Sequence, residues 1–232
     1  MSAEGIVAER AALGEAIYDA LRKRIVSLAY RPGTMIFENV VAAEFKVSRT
    51  PVRQAFFRLA REELLQVLPQ RGARVSCLSI DKVKEAQAVR EALEIAAFGE
   101  VARRWDEDAP VFRQAVADIQ GCIAAQKESV ARGDYMTFVG LDEDYHNLIL
   151  RLEGNATLMA IVKDVRAHLT RLRYLELQEA HHEAEAIVFH ERILAALRAG
   201  DVDATTATLR AHLKRLEGFR EQLFRQYEGV FV

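Results

Sequence analysis

The chain has 232 residues, 50% of them hydrophobic and 28% charged, with a formal net charge of −2 and two cysteines, Cys77 and Cys122. That length suits two domains, and the absence of any apolar run near the roughly 18 residues that span a bilayer, with no signal-like start in Met1-Ser2-Ala3-Glu4, predicts a cytoplasmic protein. The cysteines have neither metal nor redox spacing, so inert thiols in a reduced compartment are expected.

Residues 1–10 are expected to fray. Ala16 to Leu28 is amphipathic, with Ile17, Leu21, Ile25 and Leu28 on one side, and stops before Arg31-Pro32-Gly33. A short helix over about Glu38 to Phe45 and the tight turn Lys46-Val47 lead to Ser48, a good N-cap, and to Pro51 in a first turn, where a missing N–H costs nothing. Val52, Ala55, Phe56 and Leu59 then form an apolar stripe, while Arg49, Thr50 and Arg53 project from another face at the N-terminal end. This is a helix-turn-helix whose second helix would lie in the major groove of DNA. Arg49 and Arg53 are the expected base-edge contacts. Leu65-Gln66-Val67-Leu68 and Ala73-Arg74-Val75-Ser76 flank Pro69-Gln70-Arg71-Gly72 and read as a two-stranded hairpin, a wing with Arg71 and Gly72 at its tip. Ser48, Thr50, Arg71 and Gly72 complete the predicted DNA-binding set, with Thr50 and Arg71 meeting phosphate or the minor groove.

The order of these parts resembles the winged helix-turn-helix of the GntR family of bacterial transcription regulators, through Arg31-Pro32-Gly33, Val47 to Arg53, Arg58-Leu59 and Arg71 to Val75. Three positions depart from the family pattern. Lys46 stands where the family has Gly in the inter-helix turn, Glu63 where it ends the recognition helix with Gly, and Asn39 where several relatives carry a DNA-contacting Arg, a contact therefore not carried over. Lys46 and Glu63 would each adopt a left-handed conformation or shift a helix end. Phe57 lies on the polar side of the recognition helix, open to packing on a neighbouring domain or to a DNA contact. Charge supports the reading: residues 1–78 hold twelve Lys and Arg against eight Asp and Glu, whereas the rest holds 20 against 26. A basic module on an acidic body binds phosphates locally and with salt sensitivity.

Beyond Ser79 the sequence is helical in pattern, with helices expected at about Ile80 to Arg104, Val111 to Arg132, Tyr135 to Leu152, Ala156 to Gln178, Glu183 to Ala199 and Val202 to Tyr227. Only Pro110 interrupts the pattern, and Asn155 and Asp201 are placed to cap the helices that follow them. The expected fold class is mainly α: a winged helix-turn-helix domain over 1–78, with three helices and a two-stranded hairpin, and an antiparallel bundle of six or seven helices over 79–232.

Asp142 and His146 are i, i+4 on one predicted helix; His190 shares a stripe with Ile193, Leu194 and Leu197, and His212 one with Leu209, Leu216 and Phe219. One buried histidine is usually structural, but three with an aspartate are most simply satisfied together by a divalent ion. Asp144 and Glu143 are competing carboxylates, disfavoured by spacing. The run Asp142 to His146, Gly154-Asn155, His190, Gly200-Asp201 and His212 resembles the effector domain of the FadR-type GntR regulators, in which an aspartate and three histidines hold a metal. That resemblance implies Asp142, His146, His190 and His212 as ligands of a divalent ion, zinc first, with nickel or manganese as alternatives. Arg90 and Asn155 are the effector-binding candidates; for Arg90 a surface salt bridge with Glu94 is an equal alternative. His168 is read as core or pocket lining. His181-His182-Glu183 lacks the second histidine of a His-Glu-x-x-His site and reads as a solvated loop.

The function these features predict is a homodimeric, ligand-responsive transcriptional regulator, a repressor, without enzymatic activity. Its expected partners are double-stranded operator DNA, read at pseudo-palindromic half-sites, and a small organic acid bound through an open metal position. A metal-dependent hydrolase with an accessory basic domain is the alternative, although no second acid-base pair or oxyanion motif accompanies the site. A chromatin-like architectural binder would need more uniform basicity.

Overall fold

The computed structural model describes residues 3–176, 182–226 and 231, the side chains of 3–12, 216–222 and 226 excepted. Two compact units divide the chain, residues 1–80 with 227–232, and residues 81–226.

The first unit contains α1 (Ala3–Val26), β1 (Met35–Ile36), α2 (Glu38–Phe45), α3 (Arg49–Arg61), β2 (Leu65–Leu68) and β3 (Gly72–Val75). α1 starts well before the expected Ala16, because the Ala- and Glu-rich residues 3–15 favour helix and contain no proline to stop it. Its buried face, Ile17, Leu21 and Ile25, packs in one core with Val52, Ala55, Phe56 and Leu59 of α3, all at most 1% exposed. The sheet has three strands in the order β1-β3-β2, not the two of a simple hairpin. β1 escapes a sequence pattern because it is only two residues long, but it pairs Met35 with Arg74 and Ile36 with Ala73. Gly72 is required where β1 passes: at φ +93°, any Cβ there would lie 2.5 Å from the Ile36 carbonyl oxygen.

α2 and α3 both end with a residue in the left-handed region, Lys46 at φ 55° and Glu63 at φ 57°. In each case the following amide reaches back five residues, Val47 to the Ala42 carbonyl at 2.9 Å and Leu64 to the Leu59 carbonyl at 2.9 Å. This hydrogen bond closes a helix end that glycine usually serves, so the two side chains carry a Cβ penalty there.

The second unit is a six-helix bundle: α4 (Ile80–Arg103), α5 (Pro110–Ala131), α6 (Tyr135–Glu153), α7 (Ala156–Glu176), α8 (Glu183–Arg198) and α9 (Val202–Gln226). The helix ends expected at Gln178 and Tyr227, and the His212 stripe members Leu216 and Phe219, lie outside the residues or side chains described. Pro110 does not interrupt a helix but begins one, at the position where its lost N–H has no partner to miss. Asn155 Oδ1 accepts from the Leu158 amide at 3.0 Å and Asp201 Oδ1 from the Ala204 amide at 2.8 Å, which caps α7 and α9. Phe98, Val101, Ile119, Phe138, Tyr145, Ile149, Ile193 and Leu197 fill the bundle interior. No helix among the described residues is long and apolar enough to cross a membrane.

Replacing Lys46 by glycine should relieve left-handed strain of about 1–2 kcal/mol while costing slightly less in backbone entropy, for a net gain of about 0.5 kcal/mol. A higher denaturation midpoint is the expected result; a lower one would mean that Lys46 contributes more through its side chain than its conformation costs.

Candidate metal centre and nucleic-acid interface

α6 places Asp142 and His146 one turn apart on its buried face, α8 contributes His190 and α9 contributes His212, with exposures of 1%, 0%, 0% and 6%. One ligand atom from each lies within 4.8 Å of the other three. His146 Nε2 is 3.1 Å from His212 Nε2, His190 Nε2 is 3.3 Å from the same atom, and His190 Nε2 is 3.4 Å from Asp142 Oδ1. A metal bound at about 2.0–2.2 Å to nitrogen and oxygen would space its ligands by about 3–4 Å, so the four groups fit one after a small contraction.

The surroundings fix which atoms are free to ligate. His146 Nδ1 stands 2.7 Å from Glu94 Oε2, and a carboxylate that close favours the ring proton on Nδ1, so that Nε2 carries the lone pair. His190 Nδ1 lies 2.8 Å from Gln126 Oε1, and the Gln126 amide is oriented by donating through Nε2 to the Leu141 carbonyl at 3.0 Å. The His190 tautomer is therefore set in the same sense, with Nε2 unprotonated. Tyr145 stacks on the His190 ring at 3.9 Å between centroids and donates its hydroxyl to the His190 carbonyl at 2.9 Å. Asp142 Oδ1, buried, accepts no hydrogen bond. The lone pairs of His146 Nε2 and His190 Nε2 and the free oxygen of Asp142 thus converge with His212 Nε2, a donor set that suits a cation.

Protonation states agree with that chemistry. Burial lowers all three histidines, His190 to about 3, so the imidazoles are neutral. Asp142 is held well below the usual carboxylate range against its burial, because Arg173 pairs with its other oxygen. Glu94, fully buried, is likewise held ionised by Arg90, His146 and Arg166; Arg90 Nε donates to it at 2.8 Å and Arg166 Nη2 at 2.7 Å.

Arg90 does form the anticipated pair with Glu94, but as a buried bridge and not a surface one, because α4 turns this stripe inward. It also lines a small cavity with Phe138, Arg173, His212, Leu213 and Arg215, and its Nη2 has no hydrogen-bond partner. Asn155 is elsewhere, exposed at the start of α7, where its side chain is used as the helix cap. His182 and Glu183 do not form a solvated loop: Glu183 opens α8 at 5% exposure, and both line the cavity, while His181 lies outside the described residues. His168 is half-buried on α7. Sequence reasoning missed Gln126, Arg166 and Arg173 as partners of the site. The signal was present, since Arg166 and Arg173 continue the α7 stripe of Val162, Leu169 and Thr170, and Gln126 continues the α5 stripe of Ile119 and Ile123.

In the first unit, Ser48, Arg49, Thr50, Arg53 and Arg71 are all exposed. Ser48 occupies the N-cap of α3 with extended backbone, yet its hydroxyl makes no capping bond, which leaves it available to an outside acceptor. Arg49, Arg53 and Phe57 of α3 share a groove with Arg71 and Gly72 of the wing. Phe57 is 54% exposed there, and Gly72 serves the close approach of β1. Arg53 is not solitary: Nε and Nη2 engage Glu38 Oε1 and Oε2 at 3.1 and 2.9 Å.

A recognition helix and wing in one unit, and a helical bundle with a buried Asp/His cluster in the other, form the architecture of a DNA-binding transcription regulator. Residues 13–75 match the model of the bacterial regulatory proteins of the gntR family, and residues 85–215 match the FCD domain. An HTH-type transcriptional regulator in an unstable DNA locus of Streptomyces ambofaciens is 33% identical over 85% of this chain and 80% of its own. The HTH-type transcriptional repressor RspR of Escherichia coli K12 is 28% identical over 94% and 93%. Among solved structures, E. coli McbR/YncC shares the fold with a TM-score of 0.79 at 21% identity, covering 91% of this chain and 98% of that one. The chain belongs to the GntR family, in the group that carries an FCD domain. These relatives are transcription regulators, and none of them supports the hydrolase alternative.

The depressed histidines give a testable sign. Below about pH 6.5 the unfolded chain takes up protons that the buried imidazoles refuse, so stability of the chelator-stripped protein should fall from pH 6.5 downward, at about 1.4 kcal/mol per pH unit for His190 alone. Chemical denaturation across this range should show the slope, and His190→Gln should reduce it by about one proton's share, with His146 and His212 supplying the rest; an equally steep slope in the variant would remove His190 from the set.

Proposed function

We propose that this regulator is a homodimeric repressor acting in the cytoplasm, without enzymatic activity, that releases or retains operator DNA according to occupancy of a metal-centred site for a small organic acid. Residues 1–78 form the DNA-binding domain and residues 79–232 the metal-binding, effector-binding and dimerisation domain. The observation that carries the reading is the convergence of Asp142 Oδ1 with the Nε2 atoms of His146, His190 and His212 beside a cavity walled by arginines. Asp142, His146, His190 and His212 would hold a divalent ion, zinc by its preference for nitrogen and oxygen ligands in this number. When bound, the ion supplies a Lewis-acidic position open to a carboxylate.

The chain's own residues supply the remainder. Glu94 and Gln126 keep the ligating nitrogens unprotonated. Arg90, Arg173 and Arg215 outnumber Glu176 and Glu183 among the residues that line the cavity, which favours an anionic ligand. Arg90 Nη2, unpaired in the cavity wall, is placed to hold the ligand's second oxygen. Arg49 and Arg53 read base edges in the major groove, Ser48, Thr50 and Arg71 meet phosphate or the minor groove, and the Gly72 backbone lets the wing approach. An effector shifts the balance only through different affinity for two packings of the bundle. The name of RspR as a repressor supports the direction of control.

Arg49→Ala and Arg53→Ala should each weaken specific binding about ten- to a hundredfold, with the fold retained by circular dichroism; undiminished affinity for a selected duplex in both would defeat the assignment. His190→Ala and His212→Ala should lose bound metal by elemental analysis of the native protein. Full metal content in both variants would place the ion elsewhere.

A further inference from the structure

Arg53, a reader of base edges in the reading above, is held before any DNA arrives. Glu38, the first residue of α2, grips it through both carboxylate oxygens at 3.1 and 2.9 Å, although the two residues lie on different helices of the helix-turn-helix. Both belong to the groove that also holds Arg49 and the wing, with side-chain exposures of 57% for Arg53 and 23% for Glu38. The carboxylate stands at a helix N-terminus, where the dipole favours negative charge, and Arg49 adds a second favourable field.

A carboxylate in a DNA-facing groove opposes phosphate, so it weakens binding to any duplex unless it contributes something specific. Here it fixes the orientation of the guanidinium. The Nε–Nη2 edge is spent on Glu38, and the Nη1 end of the fork is left for a base. An arginine already restrained loses less rotamer freedom when it docks on guanine O6 and N7. Glu38 itself is an acceptor, suited to a cytosine amino group and repelled by thymine O4 or phosphate oxygens.

We propose that Glu38 is a specificity-determining residue of this regulator: it positions Arg53 for a guanine, and its charge discriminates against duplexes that offer only acceptors at that point. The inference rests on Arg53 being a base reader.

The test uses the full chain. A preferred duplex is selected from a randomised pool with the unaltered protein, and affinities for every single-base variant of it are measured for the parent, Arg53→Ala and Glu38→Gln, together with an unrelated duplex at several salt concentrations. Glu38→Gln keeps the shape and removes the charge. It should reduce discrimination about tenfold at the same base pair at which Arg53→Ala abolishes it, and bind the unrelated duplex more tightly, with a salt dependence steeper by about one counterion. If Arg53→Ala flattens one position while Glu38→Gln leaves that position as sharp as before, the proposal fails and the base-reading assignment stands. Sharper discrimination in Glu38→Gln would make the pair an obstructive lock, which also overturns it. If Arg53→Ala changes no base preference, the recognition assignment itself falls and the Glu38 role with it.

Discussion

A fully buried carboxylate organises the second unit. Glu94, on α4, receives Arg90 from its own helix, Arg166 from α7 and His146 from α6. Removing such a group from water costs several kcal/mol, which its three partners must offset by geometry as well as by charge. The consequence is a restriction on the whole interior: α4, α6 and α7 can meet only where three donors converge on one carboxylate, and that meeting also decides which nitrogen of His146 faces the other ligands. The neighbouring arrangement is chemically different. His190 is oriented by the neutral amide of Gln126, itself tied to the Leu141 carbonyl, so the two histidines are fixed in the same tautomer with different electron supply.

The first unit depends on backbone conformation more than on charge. α2 and α3 stop abruptly because Lys46 and Glu63 accept a left-handed conformation, and both turns are completed by amides reaching back to the last helical carbonyls. The strain is affordable because Leu64, immediately after Glu63, is completely buried with Leu59. Recognition chemistry is thereby presented from the start of α3, with its apolar stripe locked against α1.

Much of this was legible in the sequence, for identifiable reasons. The six helix spans of the bundle follow from long 3.6-residue periodicity bounded by Pro110, Asn155 and Asp201, and the recognition helix follows from Val52, Ala55, Phe56 and Leu59. What escaped was structure with no periodic signature. β1 is two residues whose strand character comes entirely from pairing with β3, and the early start of α1 comes from propensity without an apolar stripe. At the candidate metal centre the histidines stood out because they interrupt apolar stripes. Arg166, Arg173 and Gln126 interrupt stripes too, yet long polar side chains at such places are normally read as reaching to solvent. Only the presence of buried counter-groups on other helices, which spacing within one helix cannot reveal, gives them inward roles. Asn155 illustrates the converse: a residue picked out with the pattern of the effector domain is spent locally, on starting a helix.

The close pass of β1 beside Gly72 has an effect on the wing as a measuring device. β3 is paired on one side with β2 and on the other with β1, and a slip by one residue would drive a methyl or larger group into the Ile36 carbonyl oxygen. The strand is thus keyed in place like a notched ruler, and the reach of the tip is set by the three residues Pro69, Gln70 and Arg71 alone. Residues added at that tip, or charges changed on it, would leave the strands beneath it in register.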